Sequence, residues 1–160
     1  MDVHGTVSDK HALQCEMAAE VLQSSGNLRL QVTGWSMLPS VFPGDTLIIE
    51  RVHGDSVRKG EIVLYGRDRR LFVHRVIERR GHANEAAILT CGDAMPAPDR
   101  PISRDAVLGR VAYIVRNGKC IEPRKNLRLP QRAVASLVQR SQTAARIVAG
   151  VHGIRQTTTS

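Results

Sequence analysis

The rhythm of apolar positions changes at Gly26. Before it, Leu13, Met17, Val21 and Leu22 recur at helical spacing, which predicts a helix over residues 9–25. Asp9 is placed to accept hydrogen bonds from first-turn N–H groups as an N-cap. Gly26 is a natural stop, because glycine takes the left-handed conformation that ends helices. From residue 28 the pattern becomes that of strands. The runs 28–32, 46–52, 61–65, 70–78, 87–90 and 107–116 are short and rich in branched residues, with Gly, Pro or Asp between them. Pro43-Gly44-Asp45, Gly54-Asp55, Gly66 and Asn117-Gly118 mark turns, and Arg79-Arg80-Gly81-His82 reads as a hairpin tip. A second helical pattern follows over 131–151, where Val134, Leu137, Val138, Ala145, Val148 and Val151 approximate one stripe. Residues 152–160 are expected to lack fixed structure. The expected fold is mainly β: an N-terminal helical extension over 1–27, a compact antiparallel domain over 28–120, and a partly helical tail over 121–160.

Composition changes this picture in two places. Aromatic residues are only 3% of the 160, so the core must rest on Val, Leu, Ile and Ala. The net charge of +8 is unevenly spread. Residues 1–120 carry 16 Lys/Arg against 14 Asp/Glu, whereas residues 121–160 carry 7 against Glu122 alone. A basic tail with an amphipathic helical pattern favours an anionic partner and can lie on a membrane surface. A solvated tail that packs on its own domain fits the same residues. Few aromatics means no base-stacking platform, which argues against a nucleic-acid partner. Cys15, Cys91 and Cys120 show no CxxC spacing, so neither a disulfide framework nor a zinc site is implied. No stretch has the length of a membrane-spanning helix and no secretory leader opens the chain. The expected placement is cytoplasmic or peripheral at a membrane.

Three segments can carry chemistry. In Gly34-Trp35-Ser36-Met37-Leu38-Pro39, Gly34 can admit a sharp turn or a close substrate chain, and Pro39 stiffens the exit. A serine in such a turn can attack a carbonyl while nearby N–H groups, including its own and that of Met37, hold the oxyanion. In Phe72-Val73-His74-Arg75-Val76-Ile77, alternation puts Phe72, His74 and Val76 on one face. Apolar neighbours there would favour neutral imidazole, the form a general base needs. In Cys91-Gly92-Asp93-Ala94-Met95-Pro96-Ala97-Pro98-Asp99, two carboxylates lie six positions apart, and one beside His74 would set its tautomer. Singly, each segment also reads as a plain turn, a core histidine or a capping aspartate.

Their order is more specific. Gly-x-Ser-Met-x-Pro, Gly-Asp, His-Arg-Val-Ile, then Gly-Asp with a further Asp resembles the type I signal peptidase family over roughly residues 30–118. The closer likeness is to the archaeal and endoplasmic-reticulum branch, which has His where the bacterial branch has Lys. The resemblance implies Ser36 as nucleophile, His74 as general base, Asp99 as the acidic partner of the histidine and Asp93 as a supporting aspartate. It implies a β-rich fold and a peptide or preprotein substrate that adds as an extended strand, with small side chains before the cut. It implies no cofactor and no metal. This chain departs from the pattern at Ala94, where Asn commonly follows Gly-Asp, and in lacking the transmembrane helix that family members usually carry.

Two rivals share these motifs. The cleavage domain of SOS-type repressors also has Gly-x-Ser-Met, but with a Lys base where His74 stands, and 27 N-terminal residues are too few for a helix-turn-helix domain. A peptide-binding module without catalysis would need none of Ser36, His74 or Asp99.

Overall fold

The structure is a computed structural model that describes residues 3–81 and 86–126. It is mainly β, with one helix packed on an antiparallel sheet. Helix α1 spans Val3–Ser25, followed by β1 (Asn27–Gln31) and β2 (Thr46–Arg51). Strands β3 (Ile62–Arg67) and β4 (Arg70–Arg80) form a hairpin, and β5 is Ala87–Cys91. The chain closes with β6 (Ile102–Ser103), β7 (Val107–Arg116) and β8 (Lys119–Ile121). The spatial order is β1-β2-β7-β3-β4-β5-β6, with β8 paired to β7.

Two strands organise the rest by serving different partners along their length. On β7, Gly109–Val115 pairs with β2 and Val107–Arg110 pairs with β3. On β4, Arg70–Arg75 pairs with β3, and pairing to β5 begins only at Arg75. Among the described residues, the β5-facing side of Arg70–His74 therefore has no strand partner, and neither does the outer side of β1. Register shifts at Ile48/Ile49, Leu64/Tyr65 and Val76/Glu78 mark bulges, which locally raise the twist.

Strand β3 is buried on both faces and divides the core. Ile62 and Leu64 join Leu22, Met37, Val41, Leu47, Ile49, Val111 and Ile114 on one side. Val63 and Tyr65 join Val57, Val76, Ile88, Ile102 and Val107 on the other. Leu22 is the residue of α1 that enters the core cluster, and Leu22→Ala should cost about 2–5 kcal/mol.

The predicted strands 46–52, 70–78, 87–90 and 107–116 match β2, β4, β5 and β7 within two residues at each end. The helix differs from expectation at its start. It begins at Val3, so Asp9 lies inside it rather than capping it; the single Gly5 costs only about 1 kcal/mol and does not stop a helix. Leu13, Met17 and Val21 are exposed, while Ala12, Ala18 and Leu22 are buried. Met17 and Val21 instead border a cleft beside β1 and β4. Gly66 stays within β3, and the turn falls at Asp68-Arg69, with φ of 49° and 59°. Positive φ at both central residues is the two-residue hairpin turn whose twist suits its strands, and Asn117-Gly118 (51° and 71°) repeats it. Strands β6 and β8 were not predicted, because two or three residues carry no periodicity. The 131–151 helix, the 152–160 terminus and His82 of the hairpin tip lie outside the described residues.

Candidate active site

Ser36 sits in the connection from β1 to β2. Its loop is held from below by buried side chains: Leu38 and Val41 are fully buried and Met37 nearly so. The Ser40 and Val41 N–H groups donate to the Met37 carbonyl at 2.9 and 3.0 Å. The far end of the loop is fixed by Pro43-Gly44-Asp45. Gly44 has φ of 91°, and Asp45 accepts from the Phe42 N–H at 2.8 Å. Arg116 of β7 then grips Asp45 through Nε at 2.9 Å and Nη2 at 2.6 Å, and reaches the Ser40 carbonyl at 3.1 Å. The first Gly-Asp pair is thus a clamp tying the serine loop to the sheet.

His74 comes from the middle of β4 and is buried, with its ring tilted against Phe72 at a centroid distance of 6.0 Å. Its Nε2 lies 3.1 Å from Ser36 Oγ, and its Nδ1 lies 2.6 Å from Asp99 Oδ2. Neutral imidazole that donates from Nδ1 to the carboxylate leaves Nε2 free to accept the serine proton. The same carboxylate oxygen accepts from Thr90 Oγ1 at 2.8 Å and from the Tyr65 hydroxyl at 3.1 Å. Burial first, and then the charge of Asp99, push the Tyr65 hydroxyl up to about 12, against a lowering by Thr90. Tyr65 therefore stays protonated and serves as a donor. The Cys91 thiol beside this group is also pushed up, by burial and then by Asp99 and Asp93, so it remains a neutral thiol.

Asp93 does not reach His74. It receives a two-pronged grip from Arg75, Nε to Oδ1 at 2.8 Å and Nη2 to Oδ2 at 2.7 Å, and it accepts a hydrogen bond from Ser40. Arg75 also donates to the Gly60 carbonyl at 2.7 Å and the Arg124 carbonyl at 2.6 Å. Adjacent residues of a strand point to opposite faces, so His74 and Arg75 each collect one aspartate.

The second Gly-Asp loop also touches Ser36 directly. The Ala94 N–H donates to the Ser36 carbonyl at 2.9 Å. Any residue supplies that N–H, so the Asn-to-Ala departure leaves the contact intact. A Cβ on Gly92 would meet the Ser36 carbonyl oxygen at 2.6 Å and Ser36 Cβ at 3.1 Å, so only glycine fits. At Gly34 a Cβ would meet open space and φ is not positive, so no sharp turn requires it; the opening faces the cleft described next. Met37 contributes a buried side chain, while among the described residues nothing accepts from its N–H or that of Ser36.

A cleft of about 670 Å³ leads away from Ser36 and His74. One wall is β1 with Leu28 and Leu30, the other is the unpaired half of β4, and Met17 and Val21 of α1 close one side. Sequence reasoning placed Ser36, His74 and Asp99 together, and the structure brings them together. It did not single out Tyr65, Thr90 or Ser40, and it quoted Arg75 and Gly92 as motif positions without giving either a role.

Ser36, His74 and Asp99 thus converge at one end of a cleft between strand edges in a mainly β domain. The chain belongs to the Peptidase S24-like family, whose model matches residues 4–111. This family includes serine peptidases and self-cleaving repressors, and some members are not catalytic. No curated protein and no solved structure matches the chain. Among the described residues, no helix is long and apolar enough to cross a membrane.

Proposed function

We propose that this protein is a serine endopeptidase resembling the Ser-His branch of signal peptidases. The observation that carries the reading is the unbroken chain Ser36 Oγ–His74 Nε2–Asp99 Oδ2, with steps of 3.1 and 2.6 Å, at the end of an open cleft. His74 takes the Ser36 proton as Oγ attacks the scissile carbonyl, and Asp99 steadies the imidazolium. The Ser36 and Met37 N–H groups stabilise the oxyanion. His74 then returns its proton to the leaving amine, and water activated by the same ring releases the acyl group. Asp93 acts on this chemistry only through the loop it anchors.

The substrate enters as an extended strand between the outer side of β1 and the Arg70–His74 half of β4. Among the described residues both edges lack a strand partner, and such backbone groups bind a peptide without demanding a particular sequence. The resemblance implies small side chains before the cut. The basic segment 121–160 is proposed to rest on anionic lipid, which salt would weaken.

A serine-reactive probe tests the core of this reading. The expected result is labelling of the wild-type chain and none of Ser36→Ala or His74→Ala. Equal labelling of Ser36→Ala would sink the mechanism. Incubation of the purified chain alone separates the self-cleaving reading: Ser36-dependent fragments appear only under that one. Vesicles of anionic lipid should retain the full chain at low salt and release it at high salt.

A further inference from the structure

We propose that Tyr65 and Thr90 are positioning residues that hold Asp99 on His74 without neutralising it. The kinetic part of this inference rests on the peptidase reading; the structural part does not.

Asp99 needs outside support. The residues just before it, Met95 to Pro98, are exposed and give the loop little packing of its own. The Met95 N–H donates to the Gly92 carbonyl and the Cys91 thiol reaches the Met95 and Ala97 carbonyls, while the Asp99 N–H itself donates to the Thr90 carbonyl at 2.8 Å. The carboxylate can still rotate about its last bond. Two hydroxyls from different strands prevent this by meeting the same oxygen that His74 meets, Thr90 at 2.8 Å and Tyr65 at 3.1 Å. Both donors are themselves rigid. Tyr65 and Thr90 are 0% exposed, and the Tyr65 ring stacks on Phe72 at 5.4 Å with the planes 16° apart. The two hydroxyls also lie 3.3 Å from each other, which fixes their spacing.

The choice of neutral donors matters chemically. A cation at this position would compensate the carboxylate, as Arg75 compensates Asp93. Asp99 would then have less charge to offer a developing imidazolium. Hydroxyls orient the oxygen and add no counter-charge, so the carboxylate stays anionic opposite Nδ1.

The test uses the full chain with Tyr65→Phe, Thr90→Val, the double variant, and Thr90→Ser as the conservative control. One readout is the low-field proton resonance of the His74 Nδ1–H, assigned by its loss in His74→Ala. The other is kcat and KM on a peptide substrate. Tyr65→Phe and Thr90→Val should each move or broaden the resonance and lower kcat by about 10-fold or more, with KM within about twofold. Thr90→Ser should restore both. An unchanged resonance in the double variant overturns the proposal. So does a Thr90→Ser protein as impaired as Thr90→Val, because the role would then be packing. If Tyr65→Phe fails to fold, the Thr90 pair still decides. If the chain cleaves no peptide, the resonance decides alone and the failure belongs to the peptidase reading.

Discussion

Asp93 and Asp99 lie in one loop, six positions apart, yet the fold treats them as opposites. Asp93 is buried against a guanidinium that matches its charge and shape, and the pair links the serine loop, the Gly60 turn and the segment at Arg124. Asp99 meets an imidazole and two hydroxyls, none of them a permanent cation. A carboxylate with a fixed counter-charge is a structural tie. A carboxylate held only by neutral donors keeps its charge for a partner whose own charge changes. The same side chain thus becomes brace or orienting group according to what faces it across β4.

Substituting each aspartate by its uncharged isostere should pull the two roles apart. Asp99→Asn is expected to cut kcat by about 10⁴-fold, because the amide favours the wrong imidazole tautomer, while the melting temperature hardly changes. Steady-state kinetics beside a thermal melt would show it, and near-normal turnover would remove Asp99 from the mechanism. Asp93→Asn should do the reverse in kind: about 3–5 kcal/mol of stability lost, because Arg75 is left as an uncompensated buried charge. Denaturant titration measures this; a loss confined to activity would contradict the brace.

The smallest effect sharpens the Asp99 side alone. The Tyr65 hydroxyl is raised to about 12, above its value in an unfolded chain, so the fold favours its protonated form. That contribution is complete below pH 10 and is lost as pH rises from 10 to 12, amounting to roughly 2 kcal/mol. Stability measured across that window should fall in the wild type and less steeply in Tyr65→Phe. Parallel curves would mean the hydroxyl is not held as described.

Much of this was legible along the chain, and the reason is local. Alternation in 70–78 put His74 and Arg75 on opposite faces before any partner was known. The left-handed turn at Asn117-Gly118 and the stop at Gly26 follow from what those residues can adopt. The serine loop announced itself through Gly34 to Pro39, and motif order placed Ser36 with His74 and Asp99.

Other features depended on contacts that no local pattern encodes. Leu13, Met17 and Val21 recur at helical spacing, yet Ala12, Ala18 and Leu22 are the residues the fold buries. Tyr65 and Thr90 lie 34 and 9 residues from Asp99 and meet it only because β3, β4 and β5 stack in register around one oxygen. Gly92 reads as an ordinary turn residue until the Ser36 carbonyl is seen where its Cβ would stand. The sequence by itself determined the longer strands, most of the turns and which three side chains, Ser36, His74 and Asp99, to look for together, because these rest on period, backbone freedom and motif order. Only the tertiary structure decided what holds each aspartate, Arg75 at Asp93 and the hydroxyls of Tyr65 and Thr90 at Asp99, because that depends on which donors the sheet register brings opposite each one.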